Sequence, residues 1–505
     1  MVFSKQSSSS KFGIILLSRV LATIIGIIFV PIYVKIIGAE SYGLVAFYGT
    51  LAGSLAILDM GLSTAISRQV SVLAIRSNAQ KETSDLVFSV EIIYWGVGIL
   101  AGILIILLAH YLALHWINAK ELPKQTITSA IMLMGGIFAC SFPASIYNGV
   151  MNSLNLQLPN AFISIIASLM KALGVILALK YISSSIECYF IWQILVSLLI
   201  TVTMRIYCWR VINKNTLSSP KFSVQQLKTI WKFAAGMTGI SLITFFLSQI
   251  DKIIVSKFVN LDYVGYYGLA FTVAGAITQV ISPLNPILFP KFTALVAQNK
   301  QPELINLYHK SCRLINIIIL PIGFTLILFA HEILLLWTKN PVLAKNTAPI
   351  LQVCAAGTIF NCMMWIPYWY MLANGLTKFT IYQNILASLI LVPLLFWWVA
   401  KFGALGASFV WLTVNAGYVL ISIPIFHALY LKGELKNWYF KDTLYPLLLV
   451  MVIAALFKYI QVFYFPNIEL IPLGILFLMA CILYSFCLPE IRTILITRYK
   501  LLQRK

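Results

Sequence analysis

Acidic residues are scarce in this chain. Asp and Glu number 15 in 505 residues, against 36 Lys and Arg. Charged residues make up 10%, where a soluble protein carries about a quarter. That scarcity excludes an ordinary soluble globular protein. No polar stretch is long enough for a separate domain either, which excludes a soluble enzyme held by an anchor. The eight cysteines include no Cys-x-x-Cys pair, and the five histidines do not cluster along the sequence. Neither a metal site nor a redox motif is indicated, and no cofactor is expected. Cys140, Cys312, Cys354, Cys362 and Cys481 fall inside apolar runs, where cysteine acts as a small hydrophobe.

What the chain has is hydrophobic length. It is 60% hydrophobic, with a mean hydropathy of +0.91. The expected fold class is an all-α polytopic membrane protein. A span needs about 20 largely apolar residues. Fourteen runs qualify, near 12–37, 43–66, 87–113, 126–150, 158–180, 186–209, 230–256, 265–290, 312–337, 347–373, 379–400, 404–430, 443–464 and 469–488. The first is too long for a signal-peptide core and lacks a small-residue cleavage site, so it reads as an uncleaved span.

The net charge of +21 would suggest nucleic acid in a soluble protein. In a membrane protein, basic loops set topology and touch anionic lipid. With both termini cytoplasmic, the inside segments hold 23 Lys and Arg and the outside segments 7, the other six lying within spans. This bias predicts a multi-pass protein with both ends inside.

One short repeat is visible. Lys35 to Gly43 and Lys257 to Gly265 both read basic, four residues, acidic, two residues, glycine, at an offset of 222. Each lies in the short outer connection after the first span of a half. The offset makes two parallel halves of six spans: 1–215 and 216–431, with 432–505 carrying two further spans and a basic tail.

The same stretches carry a family resemblance. Gly38 to Leu44 is followed by Leu58-Asp59-Met60-Gly61-Leu62, running on to Ser67-Arg68. The second half has Gln249-Ile250-Asp251-Lys252-Ile253-Ile254-Val255, then Val264-Gly265-Tyr266-Tyr267. Together they resemble the Wzx-type polysaccharide, or O-antigen, flippases of the multidrug/oligosaccharidyl-lipid/polysaccharide exporter superfamily. The span pattern matches over essentially the whole chain, and the motifs only in these stretches. The resemblance implies a non-enzymatic flippase of the bacterial inner membrane. Such proteins move an undecaprenyl-diphosphate-linked oligosaccharide repeat unit outward by alternating access. They have two pseudo-symmetric six-helix lobes around a central cavity. Partners implied are the lipid-linked oligosaccharide, anionic membrane lipid, and the polymerase and chain-length machinery of the same pathway. Many members have twelve spans, so the last two here are a departure.

A lipid diphosphate needs cations, and its sugars need polar groups in place of water. Lys171 lies mid-span, too deep to snorkel easily, and reads as a cavity residue, as half of a buried ion pair, or as the mark of a misplaced span. Arg19 and Asp59 lie at similar depth on the first two spans and are expected to pair or to line the cavity. Around Asp251, the residues Thr238, Ser241, Thr244, Ser248 and Lys252 share a helical face. In the eighth span Gln279, Ser282 and Asn285 recur at threes beside Pro283 and Pro286. These stripes line a cavity or act as polar contacts between helices. Asp251-Lys252 sits near the outer end of its span, where Lys252 can snorkel. Glu91 and Glu332 are candidates for ion coupling, with interface contact as the alternative. Gly98-x-x-x-Gly102 reads as close helix packing.

Two rival functions remain at this stage. A cation-coupled drug exporter would want an acidic cavity, yet the spans hold six bases and four acids. A membrane glycosyltransferase or polymerase would want a large polar outer loop, and the longest, His110 to Gln125, offers only Glu121.

Overall fold

A computed structural model describes residues 28–59, 61–73, 80–154, 156–212, 219–228 and 249–464, with Gly26, Ile230 and Phe245 singly. The described residues are helical almost throughout and group into two compact units, Met1–Gly265 and Tyr266–Lys505.

In the first unit the helices are α1 (Val30–Ile37), α2 (Ala39–Leu55), α3 (Leu62–Leu73), α4 (Gln80–His115), α5 (Lys124–Ser141), α6 (Ala144–Ser153), α7 (Gln157–Tyr181) and α8 (Ile186–Ile212). Helix α9 (Leu261–Ile281) leads into the second unit. There α10 (Asn285–Ala297), α11 (Gln301–Leu328), α12 (Ala330–Thr338), α13 (Pro341–Met363), α14 (Trp365–Ala373), α15 (Thr377–Gly417), α16 (Ile423–Tyr430) and α17 (Tyr445–Tyr464) follow.

Ten described helical stretches are long and apolar enough to cross a membrane. Together they cover eleven of the fourteen expected runs, because Lys378–Tyr430 contains two. The runs 12–37, 230–256 and 469–488 lie wholly or partly outside the described residues. The chain is a multi-pass membrane protein. Leu100, Leu104 and Leu107 on α4, at 56–73% exposed, would be a liability in water and suit contact with lipid.

Within Lys378–Tyr430 the helix reverses at Gly403, whose φ of 60° and ψ of −138° are open to glycine. A Cβ on Gly406 would lie 2.1 Å from the Trp398 carbonyl oxygen. In a continuous helix, residues eight apart are separated by about 12 Å. The stretch is therefore a tight hairpin.

Other spans are interrupted as well. A 3₁₀ turn, Ala56–Asp59, follows α2, and Gly61 takes a φ of 67° before α3. Another, Ser282–Leu284, separates α9 from α10 beside Pro283 and Pro286. Proline removes a backbone donor and obstructs the preceding turn. Between α5 and α6 the chain turns at Phe142 and Pro143, where the Thr201 hydroxyl donates to the Cys140 carbonyl at 2.8 Å. Between α13 and α14 it turns at Met364.

These features recur at the offset of the motif repeat. The starts of α2 and α9 are 222 residues apart (261 − 39). The breaks at Phe142 and Met364 are also 222 apart (364 − 142). The end of α7 at Tyr181 and the Gly403 reversal are 222 apart (403 − 181). The starts of α4 and α11 differ by 221 (301 − 80).

Close backbone approach holds α4 to α5. A Cβ on Gly102 would lie 2.8 Å from the Gly135 carbonyl oxygen, and one on Gly135 would lie 2.7 Å from that of Gly102. The Gly98-x-x-x-Gly102 pattern is thus used for packing.

Candidate functional site

The two copies of the repeated segment meet inside the first unit. A Cβ on Gly43 would stand 2.2 Å from the Leu261 carbonyl oxygen. One on Gly265 would stand 3.3 Å from the Gly43 nitrogen and 3.4 Å from the Ala39 carbonyl oxygen. Only glycine allows two helix starts to approach this closely.

The connection between α4 and α5 clasps this seam. The buried Glu40 carboxylate accepts the backbone N–H groups of Glu121 at 3.0 Å and Leu122 at 2.9 Å, and that of Lys120. Leu261 N–H donates to the Asn118 carbonyl at 2.8 Å, and the Asn118 side chain donates to the Lys257 carbonyl at 2.8 Å. The Trp116 indole donates to Ser256 at 3.1 Å, while Lys257 lies over the Trp116 ring and bonds the His115 carbonyl. Lys124 donates to the carbonyls of Ala113 at 3.0 Å and Ile117 at 3.2 Å. The acid of the first repeat copy thus ties down a loop, and its glycine seats the second copy.

Asp59 ends the 3₁₀ turn after α2. Its carboxylate accepts from the Tyr94 hydroxyl, from Ser63 at 2.7 Å and from Ser145 at 3.5 Å. The expected partner, Arg19, lies outside the described residues, as does Ser248. Glu91 is buried on α4 and bonded on both oxygens. Arg205 Nε and the Tyr147 hydroxyl (2.8 Å) donate to one, and the Trp209 indole (2.8 Å) to the other. The Trp95 indole donates to the Tyr147 hydroxyl at 3.2 Å. Glu91 lies about three turns into α4, whose first turns carry Lys81, Glu82 and Asp85.

Lys171 sits mid-way along α7 and is half-buried. Among the described residues no carboxylate forms an ion pair with it. Its carbonyl accepts from Gln193 at 3.4 Å. Asp251 is buried, and the Lys252 ammonium donates to Gln249 at 3.4 Å. Gln249 fills the space beside Gly53, where a Cβ would lie 2.6 Å from its amide nitrogen.

In the second unit, Gln279 is exposed near the end of α9. The run 312–337 is two helices, α11 and α12, broken at Phe329. Glu332 therefore lies in the first turn of α12, where a carboxylate complements the helix N-terminus.

A polar network in the second unit involves none of the residues singled out from the sequence. On α11, His309 Nδ1 bonds Asp442, and its Nε2 lies 3.0 Å from Glu434. Arg313 Nε lies 3.1 Å from the other Asp442 oxygen. Asn316 donates to the Asp442 carbonyl at 2.8 Å, and Asn437 donates to Glu434 at 2.7 Å. Tyr308 reaches the second histidine, His427, at 3.3 Å. The network ties α11 to the π-helical turn Asn437–Leu444 that leads into α17. Histidines 118 residues apart along the chain (427 − 309) are thus joined through one tyrosine. Among the described residues no group of His, Cys, Asp and Glu could hold a metal ion.

The fold and residues 32–339 agree with known proteins. A Shigella flexneri protein described as an O-antigen transporter is 21% identical over 389 residues, 74% of this chain and 87% of its own length. The Rhizobium meliloti (strain 1021) succinoglycan biosynthesis transport protein ExoT is 23% identical over 358 residues, 69% of this chain and 66% of its own. The solved structure of lipid II flippase MurJ in an inward closed conformation superposes with a TM-score of 0.71 at 16% identity, covering 94% of this chain and 97% of that one. That likeness shows the fold. The resemblance drawn from the two motif stretches is borne out. Residues 32–339, more than half of the chain, match the profile of the polysaccharide biosynthesis proteins, and the chain belongs to that family.

Proposed function

We propose that this chain is a flippase that moves an undecaprenyl-diphosphate-linked oligosaccharide repeat unit across the bacterial inner membrane, for O-antigen or capsule synthesis. Lys171 carries the reading. A mid-span ammonium with no described carboxylate beside it calls for an anion, and a lipid diphosphate supplies one. The names of the two relatives and the family agree with a polysaccharide precursor as cargo. Fourteen spans with both termini cytoplasmic fit the charge bias. The recurrence of breaks at one offset supports two six-span lobes, 1–215 and 216–431. Interrupted spans at corresponding positions of two repeats are the usual marker of a transporter's binding region.

The seam at Gly43 and Gly265 supports alternating access. It lies at the end assigned outside by the charge bias. It joins equivalent segments of the two repeats, where such a transporter opens and closes. Asp251 and Lys252, about two turns before their helix ends at Phe258, would then shape the outer part of the cavity. Arg19, Ser248 and Gln279 remain cavity candidates. A drug exporter would need an acid open to its cation, and both Asp59 and Glu91 are already occupied by donors.

The test is chemical. Deletion should accumulate lipid-linked repeat units on the inner leaflet, and wild-type protein should clear them. Accumulation on the outer leaflet would place the block after translocation and overturn the proposal.

A further inference from the structure

A groove lies at the Arg-rich end of α8, beside the Glu91 partners Arg205 and Trp209. It has a volume of about 510 Å³ and is lined by Phe88, Arg205, Ile206, Trp209, Arg210 and Pro220. Phe88 and Trp209 meet edge to face, with centroids 6.4 Å apart. The Trp209 ring is fixed by its indole bond to Glu91, which also holds Arg205 Nε. One buried carboxylate thus sets both an aromatic surface and a guanidinium, whose side chain is still 46% exposed. The chain after α8 is stitched down beside them. Lys221 N–H donates to Asp85 at 2.8 Å and Ser223 N–H to Ser89 at 2.8 Å. This seats Pro220 at the groove and leaves the Lys221 side chain exposed nearby.

We propose that this groove binds the phosphodiester of an anionic phospholipid, with an acyl chain lying along α8. Arg205 and Arg210 offer the planar donors that suit a phosphate. Tryptophan is favoured where headgroup meets hydrocarbon. Four of the six lining residues are apolar, which fits a lipid better than free phosphate. The groove also continues into an exposed apolar face. Leu195, Leu198, Leu199, Val202 and Ile206 are all exposed and spaced at three or four residues, so they form one stripe ending at the groove. Arg205, Arg210 and Lys221 outnumber Asp85 and Glu91, and Glu91 is buried behind the guanidinium. Charge, aromatic surface and tail track therefore coincide.

The experiment uses the purified full chain in detergent and native mass spectrometry. Phosphatidylglycerol and phosphatidylcholine with the same acyl chains are added separately, and inorganic phosphate is a third arm. Arg210→Ala is the main variant, because Arg210 is exposed and its loss leaves Glu91 paired. Lys180→Ala, an exposed cation at the far end of α7, is the charge-matched control. The expected result is tighter retention of phosphatidylglycerol than phosphatidylcholine by wild type. Arg210→Ala should weaken the tightest phosphatidylglycerol by about five-fold, and Lys180→Ala should not. Equal losses in the two variants, or equal retention of the two lipids, would overturn the site. Displacement of phosphatidylglycerol by inorganic phosphate at millimolar concentration would make it a free-anion site and overturn the lipid assignment.

Discussion

Gly43 and Gly265 pack reciprocally. Each stands against the backbone of the residue four positions before the other, Leu261 in one case and Ala39 in the other. Adding one methyl group at Gly43 would drive it into a carbonyl oxygen 2.2 Å away. Overpacking of this kind costs about 1–3 kcal/mol, enough to shift a two-state equilibrium by roughly 5–150-fold. Gly43→Ala should therefore cut polymer export to about a fifth or less, while membrane insertion stays normal. Gly265→Ala, whose Cβ would stand 3.3 Å from the Gly43 nitrogen, tight but without overlap, should be milder. Surface polymer on immunoblots, with protein level as control, checks both. Full export by Gly43→Ala would rule out a gating role.

Lys171→Ala and Arg19→Ala should each abolish export from a protein that still inserts. Lys171→Arg should restore part of the activity, since the cation is kept. Wild-type export by both alanine variants would remove these residues from the cavity.

Glu91 separates a structural from a coupling role. Arg205→Ala leaves a buried carboxylate without its cation. The side chain of Arg205 is half exposed, so the expected loss is about 1–2 kcal/mol, below the range for a fully buried pair. It is read as a fall in Tm in detergent. Glu91→Gln keeps one acceptor oxygen and should retain export if Glu91 only positions Arg205 and Trp209. Lost export at an unchanged Tm would identify ion coupling instead.

Glu434 lies outside the membrane-crossing stretches, between Lys378–Tyr430 and Asn437–Phe457. The hydrogen bond from the Asn437 side chain holds its carboxyl below the usual range. A carboxylate depressed in the folded state stabilises above its unfolded pKa, about 4.3. That contribution fades as pH falls through the lower folded value. Tm measured from pH 6 down to pH 3, on the order of the carboxylate range, should fall more steeply for wild type than for Glu434→Gln. Parallel curves would show that the bond does not hold the turn.

The spans were legible because hydrocarbon demands long apolar runs, and the long described helices fall on such runs, while α3 and α10 continue past theirs. Their ends were less so. The start of α4 hides behind Lys81, Glu82 and Asp85, which hydropathy assigns to a loop. The repeat was readable as a pattern of charge and glycine, yet its purpose was not. Only coordinates place Gly43 against Leu261, or Glu40 on the amides of residues 120–122. The network of His309, Arg313, Glu434 and Asp442 was hidden because its bases lie on α11 and its acids far along the chain, in the stretch leading into α17. An acid at the mouth of an apolar run, Asp442 before α17, was its one sequence sign.

The hairpin at Gly403 also bears on synthesis. Its two helices are separated by no polar loop, so the second arm follows directly on the first during synthesis. At roughly 5–20 residues per second, the second arm emerges within seconds of the first. The two can then partition as a pair, with Lys401 at the turn between them. A side chain at position 403 would oppose the reversal at this early moment, and its damage would show as mis-insertion and degradation rather than as slow transport.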